Sequence, residues 1–127
     1  KLGTVLYNRG MYAAMLAAEA AANAQRLTGN KDITAADMRD GMEALEITDA
    51  RMTELGLPGF APAFKVTCAN HGGPGLGAIQ QWDAKAGKWN LITDFVASDR
   101  EVLDPLIAED SAAYAAENNI TPRDCGS

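Results

Sequence analysis

The sequence predicts an α/β fold made of helices, a β-hairpin and a terminal helix. Three observations support this prediction. Apolar residues recur at helical spacing in the first part of the chain. Two strand-like segments flank a polar turn, and apolar and polar residues alternate in the second of them. An alanine-rich stretch follows an Asp-Pro pair near the end. At 127 residues the chain has the size of one domain. One hairpin is a thin sheet for this length, so we expect its partner strands to lie elsewhere.

The first predicted helix starts at Tyr7 and ends at Gly29. Its alanine content gives a high helix propensity, and glycine is favoured just beyond a helix end. Four residues at helical spacing define the predicted buried face: Met11, Met15, Ala18 and Ala22. We interpret this methionine stripe as part of the core.

Two shorter helices are predicted to follow. Thr34 is placed to cap the second helix, with Asp37 three residues later as an acidic variant of the capping box. Thr48 is the predicted cap of the third helix, which ends at Gly56. The buried face predicted for the second helix consists of Met38, Met42 and Leu45.

Strands are predicted in the middle of the chain. The segment AFKVTC is a short strand candidate, and GAIQQWD and KWNLITDFV form a hairpin across the polar turn DAKAGK. After the hairpin, Asp104 and Pro105 fit the N-cap and first position of a last helix.

The charge of the chain disfavours two classes of partner. The sequence has 17 acidic and 11 basic residues and a net charge of −6. Because the basic residues form no stripe, the counterion release that drives nucleic-acid binding is missing, and an acidic chain repels anionic lipid surfaces. No apolar run approaches the roughly 20 residues that a membrane-spanning helix needs.

The two cysteines, Cys68 and Cys125, allow two interpretations. A disulfide would pin a C-terminal tail that otherwise frays, would stabilise the fold by about 4 kcal/mol through loop-closure entropy and would indicate an oxidising compartment. Two unrelated free thiols are the alternative. Zinc is disfavoured because there is no CxxC pair and only one histidine.

A glycine-rich loop, TCANHGGPGLGA, contains Cys68 and the single histidine, His71. Its GPGLGA part matches a dinucleotide-binding fingerprint, but a predicted strand follows it where a helix is needed, and Pro74 lacks an amide hydrogen. His71 has no second ligand or nucleophile at suitable spacing. We therefore expect a turn, with no cofactor, no metal site and no catalytic residues, and we expect that the protein is not an enzyme.

Four stretches resemble the C-terminal portion of the periplasmic solute-binding proteins of ABC transporters, of the type I kind that binds branched-chain amino acids and related compounds. The stretches are VLYNRGMYAAMLAAEAAANAQ, ITAADMRDGMEAL, FKVTCANHGGPGLGAIQQWDAKAGKWNLI and DCGS. The most specific pattern is the C-x-x-H-G-G loop followed by QQWD and KW. The resemblance covers nearly all of the chain.

This resemblance implies an α/β fold in which two lobes, joined by crossing segments, close on a small solute. Residues 1–57 would be the helical part of the N-terminal lobe, and residues 58–96 a loop, a short strand and a hinge β-hairpin. Residues 97–127 would be the C-terminal helix with a disulfide-pinned tail, in which Cys68 holds Cys125.

The resemblance also implies a function. The full protein would capture an amino acid, an aromatic acid or a similar small solute in the periplasm and deliver it to an ABC permease in the inner membrane. Tyr7 would pack on the solute with Asn8 as a weaker candidate ligand-binding residue, although core packing is the alternative for Tyr7.

The alternative function is a small secreted α/β interaction domain with one disulfide and no ligand cleft. The first interpretation predicts exposed apolar faces and self-association of the segment, whereas a small domain would be a monomer that melts cooperatively. The sequence does not identify the solute.

Overall fold

The computed structural model of this protein describes residues 4–126. These residues form helices and short antiparallel strand pairs. The prediction of a mixed α/β fold is therefore confirmed at the level of its helices and small antiparallel sheets. In chain order the elements are α1 (Val5–Thr28), α2 (Ala35–Glu43), β1 (Glu46–Ile47), α3 (Asp49–Glu54), β2 (Phe64–Lys65), β3 (Leu76–Gly77), β4 (Gln80–Asp83), β5 (Lys88–Leu91), β6 (Val96–Ala97) and α4 (Arg100–Glu117). The strands pair as β1–β2, β3–β6 and β4–β5.

The chain divides between Gly73 and Pro74 into two compact units. The first unit contains α1 to α3 with β1 and β2, and the second contains β3 to β6 with α4. This division does not coincide with the predicted boundaries after residues 57 and 96. The three-part organisation therefore stays a prediction.

Helix α1 packs against α2 through small residues. Ala20 and Ala24 are fully buried, and Gly41 of α2 is buried opposite them. The predicted buried face was wrong in part, because Ala18 and Ala22 are exposed. Small side chains decide the orientation of α1, since they allow the two backbones to approach closely.

The helix ends follow the sequence signals. Gly29 has φ 68° at the end of α1, which a residue without Cβ adopts at little cost. Thr34 and Asp37 form the complete capping box of α2, and the Thr48 side chain accepts a hydrogen bond from the backbone N–H of Arg51. The predicted starts of α2 and α3 are confirmed.

The core of the first unit lies where β1 and α3 meet α1. Leu45, Ile47 and Met52 are buried, and Tyr12 is packed against them. Burial raises the pKa of Tyr12, whose ring contacts the rings of two phenylalanines. Residues partly buried against this core are Tyr12, Met15, Leu16, Leu57, Ala61, Phe64 and Val66. Met42 was predicted to be buried but is 51% exposed. It directly follows Gly41, which meets α1, and successive residues of a helix are rotated by about 100°, so the two positions do not share one face.

The predicted hairpin of the second unit is confirmed as β4 and β5. Trp82 lies opposite Trp89 in its register, and the backbone N–H of Ile92 donates to the carbonyl oxygen of Ile79 at 3.0 Å. The pairing of β3 with β6 continues the same antiparallel arrangement beyond the hairpin.

Helix α4 starts earlier than predicted. Asp99 is its N-cap and accepts a hydrogen bond from the backbone N–H of Val102, and Arg100 forms an i,i+4 ion pair with Asp104 at 2.9 Å. Pro105 is therefore inside the helix and not at its first position. The cap and the ion pair together favour the earlier start, despite the hydrogen bond that Pro105 cannot donate.

Candidate functional site

The glycine-rich loop is a structured turn. Thr67 and Asn70 form an isolated antiparallel bridge, and the Asn70 side chain accepts from the backbone N–H of Gly72 at 3.0 Å and donates to the carbonyl oxygen of Gly73 at 3.4 Å. Gly73 has φ 67°, a conformation that residues with a Cβ rarely adopt. The turn predicted from the sequence is present.

His71 lies next to an acidic side chain at this loop. Its Nε2 atom is 3.3 Å from Oε1 of Glu43 at the end of α2. The imidazole is 66% exposed, whereas the Glu43 side chain is only 11% exposed. Among residues 4–126, no three His, Cys, Asp or Glu side chains are grouped so that they could hold a metal ion. The pair is a polar contact between α2 and the loop.

Both cysteines of the chain, Cys68 and Cys125, are disulfide-bonded, and neither is a free thiol. The sequence contains two cysteines, so the bond joins the glycine-rich loop to the C-terminal tail. The structure therefore agrees with the disulfide interpretation and not with two free thiols.

The GPGLGA segment leads into a strand. Gly75 has φ 61° and its carbonyl oxygen accepts a hydrogen bond from the backbone N–H of Ser98 at 3.0 Å. The next residues, Leu76–Gly77, form β3. A phosphate cradle of the dinucleotide type needs a helix N-terminus at this place, and a strand occupies it.

The structure places the two predicted ligand-binding residues in the first turns of α1. Tyr7 is 45% exposed, which does not fit full burial in the core. Asn8 is half-buried, and its backbone N–H donates to the carbonyl oxygen of Thr4 at 2.9 Å. Both residues are inside α1, which begins two residues before Tyr7, at Val5. Their role in ligand binding stays a prediction.

Arg51 connects two helices through a network that sequence reasoning missed. Its guanidinium forms a two-pronged contact with Glu19 of α1, with Nε–Oε2 at 2.9 Å and Nη2–Oε1 at 2.7 Å. Its Nη1 atom also donates to Glu54 at 2.8 Å. These hydrogen bonds lower the pKa of Glu19, against the effect of burial, and raise the pKa of Arg51. The i,i+3 spacing of Arg51 and Glu54 was visible in the sequence, but the contact with Glu19 was not.

A buried asparagine holds the contact between α1 and α2. The Asn23 side chain donates to the carbonyl oxygens of Gly41 at 3.3 Å and Ala44 at 3.2 Å, and it accepts from the guanidinium of Arg26. Asn23 is 8% exposed. Its donors satisfy carbonyl groups at the end of α2, which have no partner within the helix.

The second unit exposes large apolar side chains. The rings of Trp82 and Trp89 lie 5.4 Å apart on one face of the hairpin and are 50% and 61% exposed. Helix α4 has no buried residue. These exposed apolar surfaces are candidates for an interaction.

Comparison with known proteins gives one informative similarity. The chain is 40% identical to, and superposes with a TM-score of 0.87 on, a crystal structure described as an ABC transporter permease from the Pseudomonas fluorescens group. The match covers 98% of this chain, which spans 29% of the length of that protein. No protein-family model and no curated protein matches the chain. Within residues 4–126, no helix is both long enough and apolar enough to cross a membrane.

This similarity corrects the identification made from the sequence. The resemblance to a periplasmic solute-binding protein was wrong, because the similar structure is an ABC transporter permease. The function of periplasmic solute capture is contradicted for the same reason, and the small secreted interaction domain is not supported. The quoted stretches are helices, turns and a hairpin, and such elements determine the fold more than the function. The expected link to an ABC transporter is the part of the prediction that the description of the similar protein supports.

Proposed function

We propose that this chain is part of a component of an ABC transporter and contributes to the transport of a solute across a membrane. The observation that supports the proposal is the 40% identity, sustained over 98% of the chain, with the ABC transporter permease. Because the chain spans 29% of that protein, the proposed activity belongs to a whole transporter and not to this segment alone. Its proposed partners are the other components of the transporter and the transported solute.

We further propose that the chain lies on the periplasmic side of the membrane. The disulfide between Cys68 and Cys125 supports this location. Disulfides persist in oxidising compartments such as the bacterial periplasm and are rare in the cytosol. Trapping of free thiols with a maleimide-polyethylene glycol in acid-quenched cells tests this proposal. Modification of both cysteines without added reductant would contradict it.

The proposed role is not enzymatic. Polar side chains that meet in the first unit contact each other: Arg51 forms ion pairs with Glu19 and Glu54, and His71 lies 3.3 Å from Glu43. Such pairs satisfy charges at the contacts between elements, and this structural role accounts for their geometry.

The transport proposal can be tested by uptake measurements in the organism that carries the gene. A strain that lacks the gene is compared with its parent on a panel of single carbon and nitrogen sources. For each nutrient on which growth differs, the initial uptake of the radiolabelled compound is measured. We expect at least one compound whose uptake falls severalfold and is restored by the gene on a plasmid.

The matched control is a plasmid that carries the gene with an early stop codon. It has the same promoter and the same burden on the cell, but it produces no protein. Equal uptake of every compound by the parent and the deletion strain would contradict the transport proposal. Restoration by the stop-codon plasmid would show that the deletion phenotype has another cause.

A further inference from the structure

The inference concerns the disulfide between Cys68 and Cys125 and the segment that it anchors, which is α4 with the tail that follows it. The tail, residues 118–126, contains no helix or strand and is exposed throughout. Cys68 lies in the glycine-rich loop, inside the bridge that Thr67 and Asn70 form. One end of the bond is therefore held in an ordered turn, and the other end belongs to a segment without regular structure.

Helix α4 has little packing to hold it in place. None of its residues is buried, and among residues 4–126 none of the extensive contacts between elements involves α4. Pro105 also removes one of its hydrogen bonds. Most helical stability in proteins comes from packing, since isolated helices are only marginally stable in water. The order of α4 therefore has to come from something other than a buried face in the described chain.

The disulfide acts on α4 through the loop that it closes. That loop, residues 69–124, contains β3 to β6 and α4, whereas α1 to α3 lie before it. A disulfide stabilises a protein mainly by restricting the conformations of the unfolded chain in its loop. The core around Leu45, Ile47 and Met52, as the described residues form it, includes neither cysteine. Opening the bond therefore frees α4 and the tail without removing a contact from that core.

We propose that the Cys68–Cys125 bond is an oxidation-dependent lock. When the bond is closed, α4 and the tail are ordered, and when it is open they are disordered, while the first unit is folded in both states. To close the bond, one thiolate attacks a protein disulfide of an oxidising compartment, and the other thiolate displaces that protein from the mixed disulfide. The cysteines lose two electrons and two protons, and the oxidant leaves as a dithiol. Cys125 is exposed, so this exchange can reach its sulfur.

The use of the lock in the cell rests on the proposed periplasmic location, because that compartment supplies the oxidant. Before export the cysteines are reduced, and α4 and the tail stay open. After export the bond forms and completes the second unit. Hydrogen exchange of the purified chain tests the lock, whereas thiol trapping in cells tests the location, so a failure of one is distinguishable from a failure of the other.

The experiment measures amide hydrogen exchange by mass spectrometry in the 127-residue chain, both oxidised and reduced with dithiothreitol. The matched control is the double variant Cys68→Ser/Cys125→Ser, which cannot form the bond and reveals any effect of the reductant that does not involve it. Peptides from α4 (Arg100–Glu117) are compared with peptides from α1 (Val5–Thr28). The α1 peptides report whether the first unit stays folded.

We expect reduction to accelerate exchange in α4 about tenfold or more, while exchange in α1 changes by less than about twofold. The double variant should exchange like the reduced wild type and should not respond to dithiothreitol. Equal exchange of α4 in the oxidised and reduced protein would overturn the proposal, because the bond would then not control the order of the helix. Equal acceleration in α1, or unfolding of the first unit in the double variant, would also overturn it, because the bond would then stabilise the whole chain.

Discussion

Gly41 lies so close to Ala20 that a Cβ atom at Gly41 would overlap the carbonyl oxygen of Ala20. The same Cβ would stand 2.8 Å from the Cβ atom of Ala24, which is closer than carbon atoms approach without displacement. The crossing of α1 and α2 therefore depends on the absence of a side chain at one position. Asn23 donates hydrogen bonds at this crossing, so the backbones are held both by shape and by polar contacts.

Gly41→Ala should destabilise the protein by roughly 1–3 kcal/mol, because the added methyl group forces the two helices apart. Gly10→Ala is the matched control, since a Cβ at Gly10 in α1 meets no atom within 4 Å. That control should be neutral or stabilising by up to about 1 kcal/mol through helix propensity. Urea unfolding followed by circular dichroism measures both. Equal stability of the two variants would contradict the close approach.

Glu19→Gln should destabilise the protein at neutral pH and have less effect in acid. The pKa of Glu19 is lowered, chiefly by its hydrogen bonds to Arg51. Because its folded pKa lies below the ordinary value of 4.5, the stability from this carboxylate is present above pH 4.5 and is lost as the pH falls through the folded pKa. Urea midpoints of wild type and variant, measured from neutral pH into the acid range, should converge in acid.

Glu54→Gln is the control for that experiment. Glu54 contacts the same guanidinium, but its side chain is 65% exposed, compared with 16% for Glu19. Exposed ion pairs contribute little because water screens them. The stability of the Glu54 variant should therefore differ less from that of wild type at neutral pH. A larger loss of stability than that caused by Glu19→Gln would contradict the greater contribution of the Glu19 ion pair.

Cys125→Ser should lower the free energy of unfolding by about 4 kcal/mol, which is the loop-closure entropy that the disulfide with Cys68 removes from the unfolded chain. Reduction of the wild-type protein should produce a similar loss, and reductant should then have no effect on the variant. Thermal unfolding with and without reductant measures all of these. An unchanged melting temperature in the variant would show that the bond does not stabilise the fold.

Pro105→Ala should increase the helicity of α4 and stabilise it, because alanine supplies the N–H that proline lacks and removes the clash of the ring with the preceding turn. A gain of roughly 1 kcal/mol or more is expected, reduced by the greater freedom of the unfolded alanine chain. Pro62→Ala, outside any helix, should give no gain in helicity. Far-UV circular dichroism measures the comparison, and equal spectra of the two variants would argue against a continuous α4.

The local structure could be predicted from the sequence where one side chain determines it. Thr34, Thr48 and Gly29 mark helix ends through contacts within a few residues, so the relevant partners are visible in the sequence itself. The hairpin of β4 and β5 was predictable for the same reason. The start of α4 could not be predicted in this way, because the chain offers two possible N-cap residues, Asp99 and Asp104. The helix begins after Asp99.

Contacts between distant residues could not be predicted. The contacts of Arg51 with Glu19 and of Asn23 with Gly41 join separate elements, and nothing in the local pattern links the partners. The buried face of α1 was wrong in part because the predicted stripe included Ala18 and Ala22, whereas the crossing with α2 buries Ala20 and Ala24, and the sequence of α1 alone does not show where α2 crosses it. The family was misidentified because the resemblance depended on elements that proteins of different function share.

The pairing of Trp82 with Trp89 decides what fluorescence can report about this protein. The sequence has two tryptophans, and both lie on the hairpin after Pro74. Indole emission therefore follows the second unit alone, and melting of α1 to α3 would be almost silent in that signal. A fluorescence trace and a circular dichroism trace that separate along a denaturant series would reveal that the two units unfold independently.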